Sequence, residues 1–214
     1  MKFTLFKYRV FEVKEPEALI EAYCFQSDFY VKYDPRPRGE ESFQYVRFIG
    51  ARIEKASLDK CKAKINRYKD FSTYDQKGLD WLLRKATAEQ RNRFIFELAE
   101  LTHTLDSIPR VGLSKATKIL HTRYPEVIPI IDNALQKEYK LLRPEWKKGD
   151  WHQMLFKDYY DNFLVKETYN NLDTLHRNLS HLKLTKVRAF DILWWSFLKS
   201  KKYKIGWKTI RQIK

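Results

Sequence analysis

The 214 residues include 42 Lys and Arg against 27 Asp and Glu, a formal charge of +15 with a pI near 9.6. Such a surface field favours polyanionic partners, nucleic acid first and an anionic membrane second. A content of 43% hydrophobic and 15% aromatic residues excludes a disordered chain, and no apolar run approaches the ~20 residues of a membrane span.

Charge interrupts Met1–Lys7 too often for a signal peptide, and no repeat or low-complexity run is visible. These features predict a monomer inside the cell, in the cytoplasm or nucleoid, without membrane contact. The length fits one globular domain over residues 1–214, which could hold two lobes on a shared core. Cys24 and Cys61 match no metal spacing and read as reduced core thiols.

Residues 2–13 alternate roughly (Phe3, Leu5, then Tyr8, Val10 and Phe11, Val13) and read as a short strand or irregular cover. A helix is predicted from Glu15 to about Phe25, with Pro16 in its first turn, where the missing N–H costs nothing. Asp34–Glu41 is a charged, proline-rich loop whose Arg36 and Arg38 are either solvated or in contact with a nucleic-acid backbone. Phe43, Tyr45, Val46 and Phe48 predict a strand or extended segment. Ala51–Tyr68 predicts a basic amphipathic helix, with Ile53, Leu58 and Ile65 inward and Arg52, Lys55, Lys60, Lys62, Lys64 and Arg67 outward.

Helices follow at Asp80–Arg84 and Glu89–His103, the second with an apolar stripe of Phe94, Phe96, Leu98, Leu101 and Leu105 ended by Pro109. Leu113, Ala116, Ile119 and Leu120 then recur at helical spacing, with Lys115, Lys118 and His121 on other faces. Between these helices Gly112 supplies φ > 0 freedom, and the N–H groups of Leu113, Ser114 and Lys115 open a helix, where unpaired donors suit a phosphate. A further helix runs from Asp132 through Leu135, Tyr139 and Leu142 to Pro144, another from Trp151 to Glu167, and two more over Leu172–Leu179 and Leu184–Leu198. In the last of these Asp191 lies among Val187, Phe190, Leu193, Trp194 and Phe197, as a paired buried acid or an edge residue. The spacings and short connections predict an all-α (mainly α) fold with two helical lobes and the hairpin at their junction.

Lys199–Lys214 mixes Lys201, Lys202, Lys204 and Arg211 with Tyr203 and Trp207 and contains no acid. It reads equally as a solubilising tail or as a surface for phosphate contact and base stacking.

Residues 94–142 carry a resemblance. Ile108-Pro109-Arg110-Val111-Gly112, then Ser114-Lys115-Ala116, then Ile128-Pro129-Ile130-Ile131-Asp132 resembles the helix-hairpin-helix motif of DNA glycosylases, in which a Leu-Pro-Gly-Val-Gly hairpin opens a helix and a Pro-x-x-Asp turn follows. The resemblance implies duplex DNA as partner, held by its phosphate backbone at Arg110, Val111, Gly112, Leu113, Ser114, Lys115 and Lys118, with Asp132 as the catalytic carboxylate. Relatives that also cleave the backbone carry Lys where Ser114 stands, so the implied activity is monofunctional, without a Schiff base. Lys115 would point about 100° away. Arg110 replaces the first hairpin glycine, and two cysteines cannot hold the four-Cys iron–sulfur cluster of some members. No cofactor and no metal is implied.

The implied chemistry is hydrolysis of the N-glycosidic bond of a damaged or modified base, as in base excision repair. A carboxylate near C1′ stabilises the cationic sugar and orients water. The target nucleotide would have to be flipped and its gap filled by a wedge, for which the loops holding Trp81, Trp146 or Arg36–Arg38 are candidates. Asp132 also reads as a plain helix N-cap, which keeps open a non-enzymatic helix-hairpin-helix DNA-binding protein. No glycine-rich phosphate loop, His-x-x-x-His, Cys-x-x-Cys or Gly-x-Ser-x-Gly pattern offers a competing chemistry.

Overall fold

A short β-hairpin opens the chain in the computed structural model, which describes residues 1–6, 9–27, 40–47, 49–68, 70–147, 150–203 and 210–213. β1 (Lys2–Leu5) and β2 (Arg9–Val13) pair antiparallel with Phe3 opposite Phe11. β3 (Ile210–Ile213) adds to the other edge of β2, Val10 facing Ile213. Part of the basic C-terminal segment is ordered into these elements. Residues 199–203 continue the last helix, and 210–213 close the sheet in the order β1-β2-β3.

The rest is helical: α1 (Pro16–Ser27), α2 (Lys55–Ile65), α3 (Asp70–Arg84), α4 (Ala88–Asp106), α5 (Gly112–Arg123), α6 (Asn133–Leu142), α7 (Trp151–Leu164), α8 (Lys166–Asn178) and α9 (Lys186–Tyr203). The mainly α expectation is correct. Residues 40–47 form a 3₁₀ helix rather than a strand, with Phe43 and Val46 buried on its inner side, three residues apart, one 3₁₀ turn. α2 begins at Lys55, later than expected, because its N-cap Glu54 is extended. α3 is two helical stretches joined at a kink, where Gly78 takes the non-helical φ 74 and ψ 174, and the second stretch contains the helix expected at Asp80–Arg84.

Local chemistry accounts for α4. Thr87 Oγ1 accepts the Gln90 N–H at 3.1 Å while Gln90 Oε1 accepts the Thr87 N–H at 2.9 Å, a reciprocal cap that fixes the first turn. Phe94, Leu98, Leu101 and Leu105 are buried as expected, but Phe96 is 52% exposed, because its two-residue spacing from Phe94 puts it near the opposite face.

The helices sort into two groups. The 3₁₀ helix at 40–47, α2 and α3 pack with α4 and α5, whereas the sheet, α1 and α6 pack with α7, α8 and α9, and α4 against α7 joins the groups. One apolar cluster runs through both, from Phe3 to Phe197. Each group holds one buried cysteine, Cys24 in α1 and Cys61 in α2, not joined in a disulfide, and burial pushes each thiol up to about 11.

Candidate nucleic-acid interface

The chain leaves α4 at Ser107 and turns sharply. Ile108 O accepts the Val111 N–H at 3.0 Å, and Pro109 and Arg110 occupy the turn's middle. Proline second and a positive φ third are the marks of a type II turn, whose third residue is normally glycine. Arg110 takes φ 66 nonetheless, and Gly112 follows at φ 67. A left-handed side-chain-bearing residue costs roughly 1 kcal/mol, so the hairpin keeps the glycine geometry of the motif at the expense of strain. Val111 is buried and its N–H is used inside the turn, which removes it from the expected phosphate contacts.

The hairpin's cations are engaged. Arg110 pairs with Glu54 at the start of α2, and Lys115 Nζ donates to Arg110 O at 2.7 Å. Ser57 Oγ donates to Pro109 O at 3.4 Å. Leu113 is buried and Ser114 half-buried at the head of α5. Asp106 Oδ1 lies 4.0 Å from where a Cβ on Gly112 would stand, and Asp106 Oδ2 pairs with His152 Nε2 at 3.3 Å. Lys118 is half-buried beside Gly50; burial lowers its pKa, and the Asp132 carboxylate opposes that shift.

His121 does not share the basic face expected of it. It is 2% exposed, its ring Nδ1 lies 2.6 Å from Ile128 O, and burial drives its pKa down to about 4, so the ring is neutral and donates to that carbonyl.

The segment from Pro125 to Asp132 crosses between the two helix groups, and side chains from both bind its backbone. Asp75 Oδ1 accepts the Glu126 N–H at 2.8 Å, Thr185 Oγ1 donates to Pro125 O at 2.9 Å, and the Tyr160 hydroxyl donates to Val127 O. Asp191 accepts the Ile130 N–H at 2.8 Å on one oxygen and the Tyr159 hydroxyl at 2.8 Å on the other. Thr117 Oγ1 accepts the Ile131 N–H at 3.1 Å and donates to Leu113 O at 3.1 Å, tying the turn to α5. Asp132 emerges from this buried turn as the N-cap of α6, its Oδ1 accepting the Leu135 N–H at 2.9 Å.

Burial pushes the Asp191 carboxyl up to about 7; Arg188, the Ile130 N–H and the Tyr159 hydroxyl oppose this, and the nearby Asp132 charge adds to it. Asp191 is thus the paired acid of its two readings. Its sequence signal was a lone carboxylate on an apolar helix face, while its partners, Ile130 and Tyr159, have no signal at all.

Arg36, Arg38, Lys204 and Trp207 lie outside the described residues, and Lys201 and Lys202 sit in the last turn of α9. Of the wedge candidates, Trp81 is half-buried with Lys77 Nζ 4.1 Å over its ring. A separate cleft of about 250 Å³ opens at Gly78, lined by Asp80, Glu126, His176 and Lys186 among others. Its ammonium is already held by Asp80 at 2.7 Å and Asp173 at 2.6 Å. Among the described residues no cluster of His, Cys, Asp and Glu could hold a metal ion, and no helix is long and apolar enough to cross a membrane.

No curated protein and no solved structure matches the chain. A family model does match residues 76–198, which span the kink of α3, the hairpin, the buried turn with Asp132 and most of α9. Since that match covers more than half of the 214 residues, the chain belongs to the family of unknown function DUF6308.

Proposed function

We propose that the protein binds duplex DNA through the hairpin and acts as a monofunctional DNA glycosylase, with Asp132 stabilising the sugar cation as a damaged or modified base leaves. The observation that carries this reading is the pairing of two turns. A hairpin with positive φ at Arg110 and Gly112 opens α5, and the turn that follows α5 is fixed on its backbone and ends at Asp132, the half-buried N-cap of α6. A preorganised carboxylate is what an oxocarbenium-like transition state requires. Ser114 at the head of α5 supports hydrolysis without a lysine adduct.

A second reading, a DNA-binding protein without chemistry, is favoured by the 2.9 Å bond from the Leu135 N–H to Asp132, which gives that carboxylate a complete structural role. One experiment separates them. Wild type and Asp132→Asn are incubated with a panel of lesion-bearing duplexes, then heated in alkali to cleave at abasic sites. Asn caps as well as Asp, so the melting temperature should hold while base release falls by roughly 10²-fold or more. Equal release by both proteins, or none by wild type on any lesion, leaves the binding reading.

A further inference from the structure

We propose that α2 forms the second half of the DNA surface, with Lys60 and Lys64 taking backbone phosphates of the same duplex that meets the hairpin. The proposal rests on the DNA-binding part of the reading above and not on its chemistry.

The hairpin is short of free positive charge. Arg110 is paired with Glu54, Lys115 is bound to Arg110 O, and Lys118 is half-buried near Asp132. The hairpin therefore presents helix-terminal N–H groups but little uncommitted positive charge, and phosphate affinity comes chiefly from cations that release counterions.

α2 supplies that charge where it is needed. Its first turn is fastened to the hairpin through Ser57 to Pro109 and Glu54 to Arg110. Ser57, Lys60 and Lys64 stand at i, i+3 and i+7, one row on the helix. Ser57 touches the hairpin, so the lysine row starts at that contact and runs away from it for about 10 Å at 1.5 Å per residue. Measured along the duplex axis, that length corresponds to about three base-pair steps at ~3.4 Å each. Arg67 lies just past the helix end, exposed, with its N–H on Lys64 O. Ala56 and Ala63 are exposed on the outward side and add no bulk against a strand.

The opposite edge of the helix is spent differently. Lys62 lies 5.3 Å from the Phe43 ring and 4.0 Å from Asp59, and Cys61 and Ile65 point into the core. Lys60 and Lys64 have no ion-pair partner among the described residues. α2 also lies outside residues 76–198, so this surface is an addition to the part matched by the family.

The test titrates labelled duplex DNA against three proteins across a range of KCl. They are wild type, Lys60→Glu with Lys64→Glu, and a control with the same change of charge, Lys166→Glu with Lys183→Glu, at exposed sites on and after α8. The α2 variant should lose roughly tenfold or more in affinity, and its salt slope should fall by about 1.8, two contacts at 0.9 each. The control should lose far less. Lys60→Gln with Lys64→Gln, which adds no acid, should lower the slope by the same amount, so a folding defect of the reversal does not decide the result. Equal losses in the α2 variant and the control would assign the effect to net charge and overturn the proposal. A wild type that binds tightly with the α2 variant unchanged overturns this surface alone, whereas a wild type that binds no duplex overturns the DNA reading beneath it as well.

Discussion

The two turns that flank α5 are built on opposite principles. The hairpin at 108–112 buries Ile108 and Val111 but exposes Pro109, Arg110 and Gly112, keeps a side chain in a left-handed conformation, and is held by surface contacts to Glu54 and Ser57. The turn at 125–132 is buried, and its amides and carbonyls are bound by Thr117 and His121 of the preceding helix and by Asp75, Tyr160, Thr185 and Asp191 from distant parts of the chain. An exposed ion pair is worth about 0–1 kcal/mol and exchanges readily for a phosphate. A buried amide that loses its acceptor costs about 1–3 kcal/mol. One turn is thus suited to meeting a partner, and the other to holding a carboxylate still.

Breaking the buried turn should have the largest effect. Asp191→Ala leaves the Ile130 N–H and the Tyr159 hydroxyl without their acceptor, and chemical denaturation should show a loss of about 3 kcal/mol. A loss below about 1 kcal/mol would mean that the turn holds its shape without this clamp.

The pH dependence sharpens the contrast, because two buried groups at this turn titrate in opposite senses. Asp191 is raised from 3.8 to about 7, so its contribution to stability is full at low pH and is lost as pH rises toward 7. His121 is lowered from 6.5 to about 4, so its contribution is full above 6.5 and is lost as pH falls toward 4. The two slopes oppose each other over the same window, and the wild-type melting temperature should vary little between them. Asp191→Asn removes one slope, and its melting temperature should then fall steadily as the pH is lowered. A flat profile in that variant would contradict the assignment to His121.

The smallest effect should come from the hairpin. Arg110→Gly relieves a left-handed arginine but frees the unfolded backbone and gives up the Glu54 pair. Strain relief of about 1 kcal/mol is nearly cancelled by those two losses, so the net expectation is a change of no more than about 0.5 kcal/mol in a denaturant titration. A larger loss of stability would mean that the Glu54 contact outweighs the strain.

What could be read from the sequence follows from how local each cause is. α4 and α5 were readable because Pro109 and Gly112 mark the turn between them and the core stripe of α4 repeats at helical spacing, whereas the Thr87–Gln90 cap, equally local, was not used. Phe96 was misplaced because a stripe was extended through a two-residue step. The strand expected at 43–48 failed because alternating aromatics look alike in a strand and in one turn of 3₁₀ helix. The first half of α3 was missed because Gly78 interrupts a mostly polar stretch. His121 was assigned to a basic face because its acceptor, Ile128 O, is seven residues away in sequence and visible only once the turn folds back. The turn at Pro109–Gly112 and the N-cap reading of Asp132 follow from local residues, but the clamp of Asp191 on Ile130 spans 61 residues and no local pattern announces it.

The two cysteines have a consequence of their own. One sits in each helix group, both are buried, and both thiols are pushed up to about 11, so at neutral pH neither offers the thiolate that alkylating reagents attack. Modification has to wait until the surrounding helices part, which makes Cys61 a natural clock for the hairpin-bearing half of the molecule and Cys24 one for the other half. With a reagent in excess, the two labelling rates would time the opening of each half separately, in the native chain and without any introduced probe.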